Sequence, residues 1–382
     1  MIIMKILALA ILIIAITVLC FSADEIARSI AERQLEKTFI DSQVTIKTCD
    51  FNLSRWLAFS DIEIKRDKMY DFRSKEMKIS YGLSRILSGR IDSVSAVDSR
   101  LNFYPKGNKL PGLKDILALS RPGIFSVKEA VLSDLRLRFS SPDLDLSGTI
   151  SLSYLPGEKK ITNFDAKFDT VEAKGVTLSG MMISQASGSD RGELSIKKMS
   201  YNNAVINDAR GTLRKENNIF YCDDLKGRIL GGEISGDMTI DIGKGPELSL
   251  RLDGAGLDLD SFTRDFKMKD KFEMTGLLNG SISLSGNSSG ISGINGRFTA
   301  GAPGGSLNIK DKRFIENMAR RSGQAFEILE ESLQNYRYNT GMVSVSIDGA
   351  NIIMDVELSG DAGKREFNVI LHDFIKEKGR GL

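Results

Sequence analysis

The residues able to do chemistry in this chain are few and scattered. There is one histidine, His372, beside Asp373. A histidine cluster for metal needs at least a second one. A Ser-His-Asp arrangement needs a presented nucleophile, and no G-x-S-x-G motif occurs. No G-x-x-x-x-G-K-[ST] phosphate loop is present either. Gly243-Lys244-Gly245 and Gly363-Lys364 read as charged turns. Asp143-Leu144-Asp145 and Asp258-Leu259-Asp260 have the carboxylate spacing of a calcium loop. Their central leucines fit strand alternation, and no complete D-x-[DN]-x-[DN]-G-x5-E pattern follows. A carboxylate pair for glycoside hydrolysis has no local motif, and nothing here favours one. Cys20 lies in an apolar run, and Cys49 and Cys222 are expected to be unpaired thiols in or near the core. The reading is of a nonenzymatic chain with no cofactor and no metal.

The elements that must carry function come next. Residues 6–21 hold no charge and follow Lys5. With Ile2, Ile3 and Met4 they reach about 20 residues, enough for a helix to cross ~30 Å of hydrocarbon. Residues 1–23 are therefore expected to be a transmembrane anchor, inserted through residues 2–22. A cleaved secretory signal is the competing reading, although Phe21 makes a poor cleavage site. On either reading the rest of the chain is exported. Asp24 to Ile40 reads as a juxtamembrane helix with Ile26, Ile30, Leu35 and Phe39 on one side.

Beyond it, alternation dominates. Val44 and Ile46, Leu135, Leu137 and Phe139, Leu248, Leu250 and Leu252, Ile282 and Leu284, Val343, Val345 and Ile347, and Met354, Val356 and Leu358 each alternate with polar residues. Strand side chains change face at every residue, so the pattern means one apolar and one wet face, as antiparallel sheets allow. Turn signals at Ser147-Gly148, Pro156-Gly157, Gly231-Gly232, Ser235-Gly236, Asp253-Gly254, Asn279-Gly280, Ser285-Gly286 and Asp348-Gly349 predict short strands of about six to eight residues, roughly 20 of them. Between Pro111 and Pro122, Leu113 to Leu119 reads as a helical turn. From Asp311 to Tyr336, Phe314, Met318, Phe326, Leu329, Leu333 and Tyr336 recur at helical steps, with Ser322-Gly323 weakening the middle. This predicts a late amphipathic helix or helix pair packed on the sheet.

Lys plus Arg is 52 and Asp plus Glu is 50. Such balance argues against a nucleic-acid partner, which requires a basic face. A sheet with one apolar face must hide it by stacking, by helices, or by curling around something apolar. On the residues alone, a β-sandwich and a lipid-holding trough both satisfy this.

Three stretches resemble the AsmA-like family, with its TamB- and YdbH-like relatives. They are the amino-terminal anchor with VTIKTCDFNLSRWLAFSDIEIKR, the phrase ARGTLRKENNIFYCDDLKGRILGGEISGDMTIDI, and LDGAGLDLDSFTRDF followed by FEMTGLLNGSISLSGNSSGISGINGRFTA and PGGSLNI. The resemblance implies an elongated, twisted antiparallel sheet forming a hydrophobic groove, in a single-pass inner-membrane protein of a bacterium with its bulk in the periplasm. It divides the chain into the anchor (1–23), the juxtamembrane helix (24–40), a β-groove region (41–310), and a helix plus closing strands (311–382). It implies a protein that carries phospholipid acyl chains between inner and outer membranes. The lining expected for those chains is Leu248, Leu250, Leu252, Ile282, Leu284, Val343, Val345 and Ile347. The alternative is a nonenzymatic scaffold for outer-membrane protein assembly or envelope organisation, docking an outer-membrane or envelope protein on exposed sheet edges by strand addition.

Overall fold

The computed structural model describes residues 25–373 apart from 105–125 and several shorter stretches. The expected anchor and the expected turn at Leu113–Leu119 lie outside the described residues. Among the described residues no helix is long and apolar enough to cross a membrane. The chain divides into two compact units, one of residues 1–174 and 182–189, the other of residues 175–181 and 190–382.

Strands dominate both units, as the alternation predicts. The first unit holds β1 (Gln43–Asn52), β2 (Trp56–Arg66), β3 (Tyr70–Ser80), β4 (Arg90–Phe103), β5 (Ser126–Ser140), β6 (Leu144–Leu155) and β7 (Lys160–Ala173). Each pairs with the next. All these pairings are antiparallel except β4 with β5, which is parallel. That departs from the expected all-antiparallel order. A parallel return needs a connection of about a dozen or more residues, and residues 104–125 supply that length. β8 (Val176–Gln185) has residues in both units.

The second unit contains β9 (Arg191–Tyr201), β10 (Ala204–Glu216), β11 (Ile219–Ile229), β12 (Gly232–Asp241) and β13 (Glu247–Asp258). After α1 (Leu259–Asp265) and β14 (Phe272–Thr275) come β15 (Leu277–Asn287), β16 (Gly290–Ala300) and β17 (Gly305–Ile309). Next are α2 (Lys312–Ser322), α3 (Phe326–Leu333) and β18 (Tyr336–Tyr338). β19 (Thr340–Asp348), β20 (Asn351–Gly360) and β21 (Gly363–Leu371) complete it. An antiparallel ladder runs β9-β10-β11-β12-β13-β15-β16-β19-β20-β21. β14, β17 and β18 form a separate small sheet. The late helical segment is a pair, broken at Gly323, whose φ of 68° ends α2 in the left-handed conformation.

The ladder strands are longer than expected. β5 has 15 residues, about 50 Å at ~3.3 Å per residue. Five of the eight glycine turn signals, Gly148, Gly236, Gly254, Gly280 and Gly286, lie inside strands. Their role is close approach. A Cβ on Gly236 would overlap the Arg251 carbonyl oxygen, and one on Gly280 would overlap the Arg297 carbonyl oxygen. β2 starts at Trp56, which already pairs with Asn52.

A second device recurs in the strands. Asp61, Asp98 and Asp134 have φ of 50°, 48° and 55°. Asp tolerates this left-handed conformation better than most residues. Ser60 pairs with Glu76 and Ile62 with Ser74. Ser74 pairs with Ser99, Glu76 with Val97, and Val97 with Ser133. These pairs set Asp61, Lys75, Asp98 and Asp134 on one line across β2 to β5. The pairing stays in register through Asp61 and Asp98 and slips only beside Asp134, between Leu132 and Leu135, as a bulge does. Asp208 and Asp224 repeat the device in β10 and β11.

The amino-terminal helical segment packs Ala31 and Leu35 against the first unit's core. Its other contacts reach β1, which pairs with β2. Ile46 N–H donates to Glu32 Oε1 at 2.9 Å, and Arg28 Nη1 donates to the Lys47 carbonyl at 3.3 Å. These are backbone groups that an unpaired edge offers to other chains. The helix is therefore turned by hydrogen bonds to the strand. Ile30, expected on its apolar side, is 56% exposed.

Replacing Gly280 by Ala is expected to destabilise the second unit by about 1–3 kcal/mol through forced overlap. Gly157→Ala, with open space around its Cβ, should stay within about 0.5 kcal/mol. Thermal midpoints of the two full-length variants check the contrast.

Candidate functional site: the apolar face of the second ladder

Cross-strand partners in a sheet share a face. Leu250 pairs with Leu284 and Leu252 with Ile282. Ile282 pairs with Gly296, and Gly296 with Val345. Val343 pairs with Val356, Val345 with Met354 and Ile347 with Ile352. Leu248 and Ile347 follow by alternation along their strands. The ladder therefore brings all eight expected lining residues onto one face. Ser249, Arg251, Ser283, Ser285, Ser344 and Ser346 alternate onto the other.

Burial along that face is graded. Leu252 is 7% exposed and Val343 8%, both within the second unit's core. Leu250, Ile282 and Val345 are half-buried and pack against that core. Leu248, Leu284 and Ile347, farther along the same strands, are half-buried without joining it. The gradient has a structural cause. The segments that follow β13 and β16 leave at one end of the ladder, and they return as α1, α2, α3 and the small sheet. Met274, Leu307, Ile315, Leu329, Leu333 and Tyr338 from these elements are buried in the same core as Leu252 and Val343. Phe314 of α2 meets Phe367 of β21 edge-on, with ring centroids 6.4 Å apart. One end of the apolar face is thus capped, and the far end keeps partly uncovered side chains.

Local chemistry fixes the cap. Asp258 ends β13 and caps α1, accepting from the N–H groups of Asp260 and Ser261 at 3.1 Å each and from Ser261 Oγ at 2.7 Å. The Asp258-Leu259-Asp260 spacing is thus explained by a helix start. Among the described residues no group of three or more His, Cys, Asp or Glu side chains is placed to hold a metal ion. Asp311 caps α2 by accepting from Arg313 and Phe314 N–H. Tyr338 Oη donates to the Thr275 carbonyl at 2.5 Å, tying β18 to β14, and burial pushes its phenol up to about 12.

The face includes further residues beyond the eight expected as lining. Phe298 stands between Gly280 and Val343 on this face, and Val356, Phe367 and Val369 extend it. Alternation is audible at Ile294, Gly296, Phe298 and Ala300, but a glycine at an apolar position mutes it. His372 lies exposed on a turn just after β21. Cys49 and Cys222 are both buried, as expected. Burial, then the nearby charges of Asp223 and Asp237, pushes the Cys222 thiol up to about 11.

The fold and site define a mainly β protein whose long ladder strands put one apolar face against one wet face. The YdbH-like family, described as intermembrane phospholipid transport protein YdbH, matches residues 125–360. The chain belongs to that family, in agreement with the AsmA-like resemblance of its sequence. No curated protein and no solved structure matches it.

Burial opposes ionisation of Asp258. The hydrogen bonds from Ser261 and Asp260, with the Arg264 charge, outweigh it and hold the carboxyl below its usual range. A lowered folded-state value stabilises above the unfolded value of about 4 and is lost as pH falls through the folded one. Asp258→Ala should cost about 1 kcal/mol at pH 7. The gap from the parent should shrink below about pH 4, as read by denaturant midpoints across pH.

Proposed function

We propose that the chain carries phospholipid along this face, with acyl chains on Leu248, Leu250, Ile282, Leu284, Val345 and Ile347, while Leu252 and Val343, also expected in the lining, lie buried beneath the cap. Head groups stay in water beyond the strands. The observation that carries the reading is the row of aligned apolar side chains left partly uncovered beyond the cap, in a member of a phospholipid-transport family. Each buried methylene contributes ~0.8 kcal/mol, so about ten along one tail give ~8 kcal/mol with no single residue dominating. Non-specific apolar contact lets a chain slide, as transport requires. We place the protein in a bacterial inner membrane, held by residues 2–22, with its bulk in the periplasm and its lipid moving between inner and outer membranes. The acyl-chain role is physical holding, so it calls for no catalytic group.

Leu250→Asp and Ile282→Asp put unpaired carboxylates on the face. Each should lower the phospholipid that co-purifies with the detergent-extracted full chain several-fold, as read by native mass spectrometry. Ser283→Asp, on the wet face, should leave it unchanged. Undiminished lipid in folded Leu250→Asp and Ile282→Asp proteins would refute the assignment.

A further inference from the structure

The wet face of the first unit gathers arginines where opposite charges would stabilise the sheet. Arg73 pairs directly with Arg100 across β3 and β4, and Arg100 pairs with Arg136 across β4 and β5. Arg138, two residues past Arg136, shares its face and pairs with Asn102. Like charges directly opposed across strands are destabilising. Two of the four are compensated. Arg73 reaches Glu63 at 2.8 Å and Asp71 at 3.4 Å, and Arg136 reaches Asp98 at 3.1 Å. Arg100 and Arg138 make no ion pair among the described residues.

Three of these side chains, Arg100, Arg136 and Arg138, border a cleft of about 410 Å³. Arg100, Arg136, Arg138, Asn102 and Thr149 line it, with Asp169 as its one carboxylate. A guanidinium presents paired N–H donors that match two phosphate oxygens at once. Asn102 and Thr149 offer neutral donors beside them. The parallel pairing of β4 and β5 is what sets Arg100 next to Arg136, so the one departure from the antiparallel order creates the cluster. Leu137, Ser147 and Gly148 complete the lining, and the site is independent of the acyl-chain reading.

We propose that this cleft binds a phosphate group, held by Arg100 and Arg138 with Arg136 fixed beside them by Asp98. The group is either a free phosphate or the phosphodiester of an anionic lipid.

The full chain in neutral detergent tests this. Thermal midpoints are compared in sodium phosphate and in sodium chloride of equal ionic strength, then in micelles doped with phosphatidylglycerol or with phosphatidylcholine. Phosphate raises many midpoints by exclusion from protein surfaces, so the readout is the part of the rise that depends on the arginines. The parent should show an extra rise that Arg100→Gln/Arg138→Gln loses and that Arg251→Gln/Arg297→Gln, a charge-matched pair in the second unit, retains. In chloride the first double variant should melt at or above the parent, since it removes opposed like charges. Arg100→Lys/Arg138→Lys keeps the charge without the paired donors and should show a smaller rise. If the Gln pair fails to fold, the Lys pair decides by the same comparison. An arginine-dependent rise with inorganic phosphate makes a free phosphate sufficient. One seen only with phosphatidylglycerol assigns the site to a lipid head group. No rise in either arm, or a rise that survives both double variants, overturns the proposal.

Discussion

Side chains alternate between the two faces of a strand, so the register of pairing decides which residues of neighbouring strands share a face. That constraint organises this molecule. Each ladder carries apolar side chains on one face and charged or hydroxyl side chains on the other. Because Leu250 faces Leu284 and Val345 faces Met354, the apolar residues of neighbouring strands add up to one surface. The opposite surface inherits Ser283, Asn295 and Ser346 in the same way. An apolar face and a wet face are therefore one decision, made once by register.

The cap makes the face asymmetric. Helices α2 and α3 and the small sheet bury the end holding Val343 and Val356, while Leu284 and Ile347 stay half-buried. Hydrogen bonds specify this arrangement as much as apolar packing does. Asp258 and Asp311 start two helices where strands end, and Tyr338 joins two strands of the small sheet. The helix contacts to β1 follow the same logic, since Glu32 and Arg28 occupy backbone groups that a neighbouring strand would otherwise take.

Much of this was legible in the residues. Alternation placed all eight lining residues on one face, and Ser322-Gly323 marked the helix break. Strand length was not legible, for a physical reason. Glycine permits both a turn and a close crossing, and Gly236 and Gly280 serve the crossing. The left-handed residues hid more. In β4 the buried positions run Ala96, Ser99, Leu101 and Phe103, with Val97 and Asp98 both exposed. In β5 the pairing slips between Leu132 and Leu135. A two-residue period loses a beat at the left-handed Asp98 and at the slip beside Asp134, so the pattern fades there. The repeated phrase of Asp followed two residues later by a charged side chain, as in Asp98-Ser99-Arg100 and Asp134-Leu135-Arg136, was the available signal. The parallel pairing of β4 with β5 left no mark in either strand.

The most direct measurement is site-specific photo-crosslinking of the full chain in bacterial membranes. A photoreactive residue at Leu284 or Ile347 should attach phospholipid, and the same residue at Ser283 or Ser346 should not. Equal labelling from both faces, or none from the apolar one, would contradict a lipid path along this ladder.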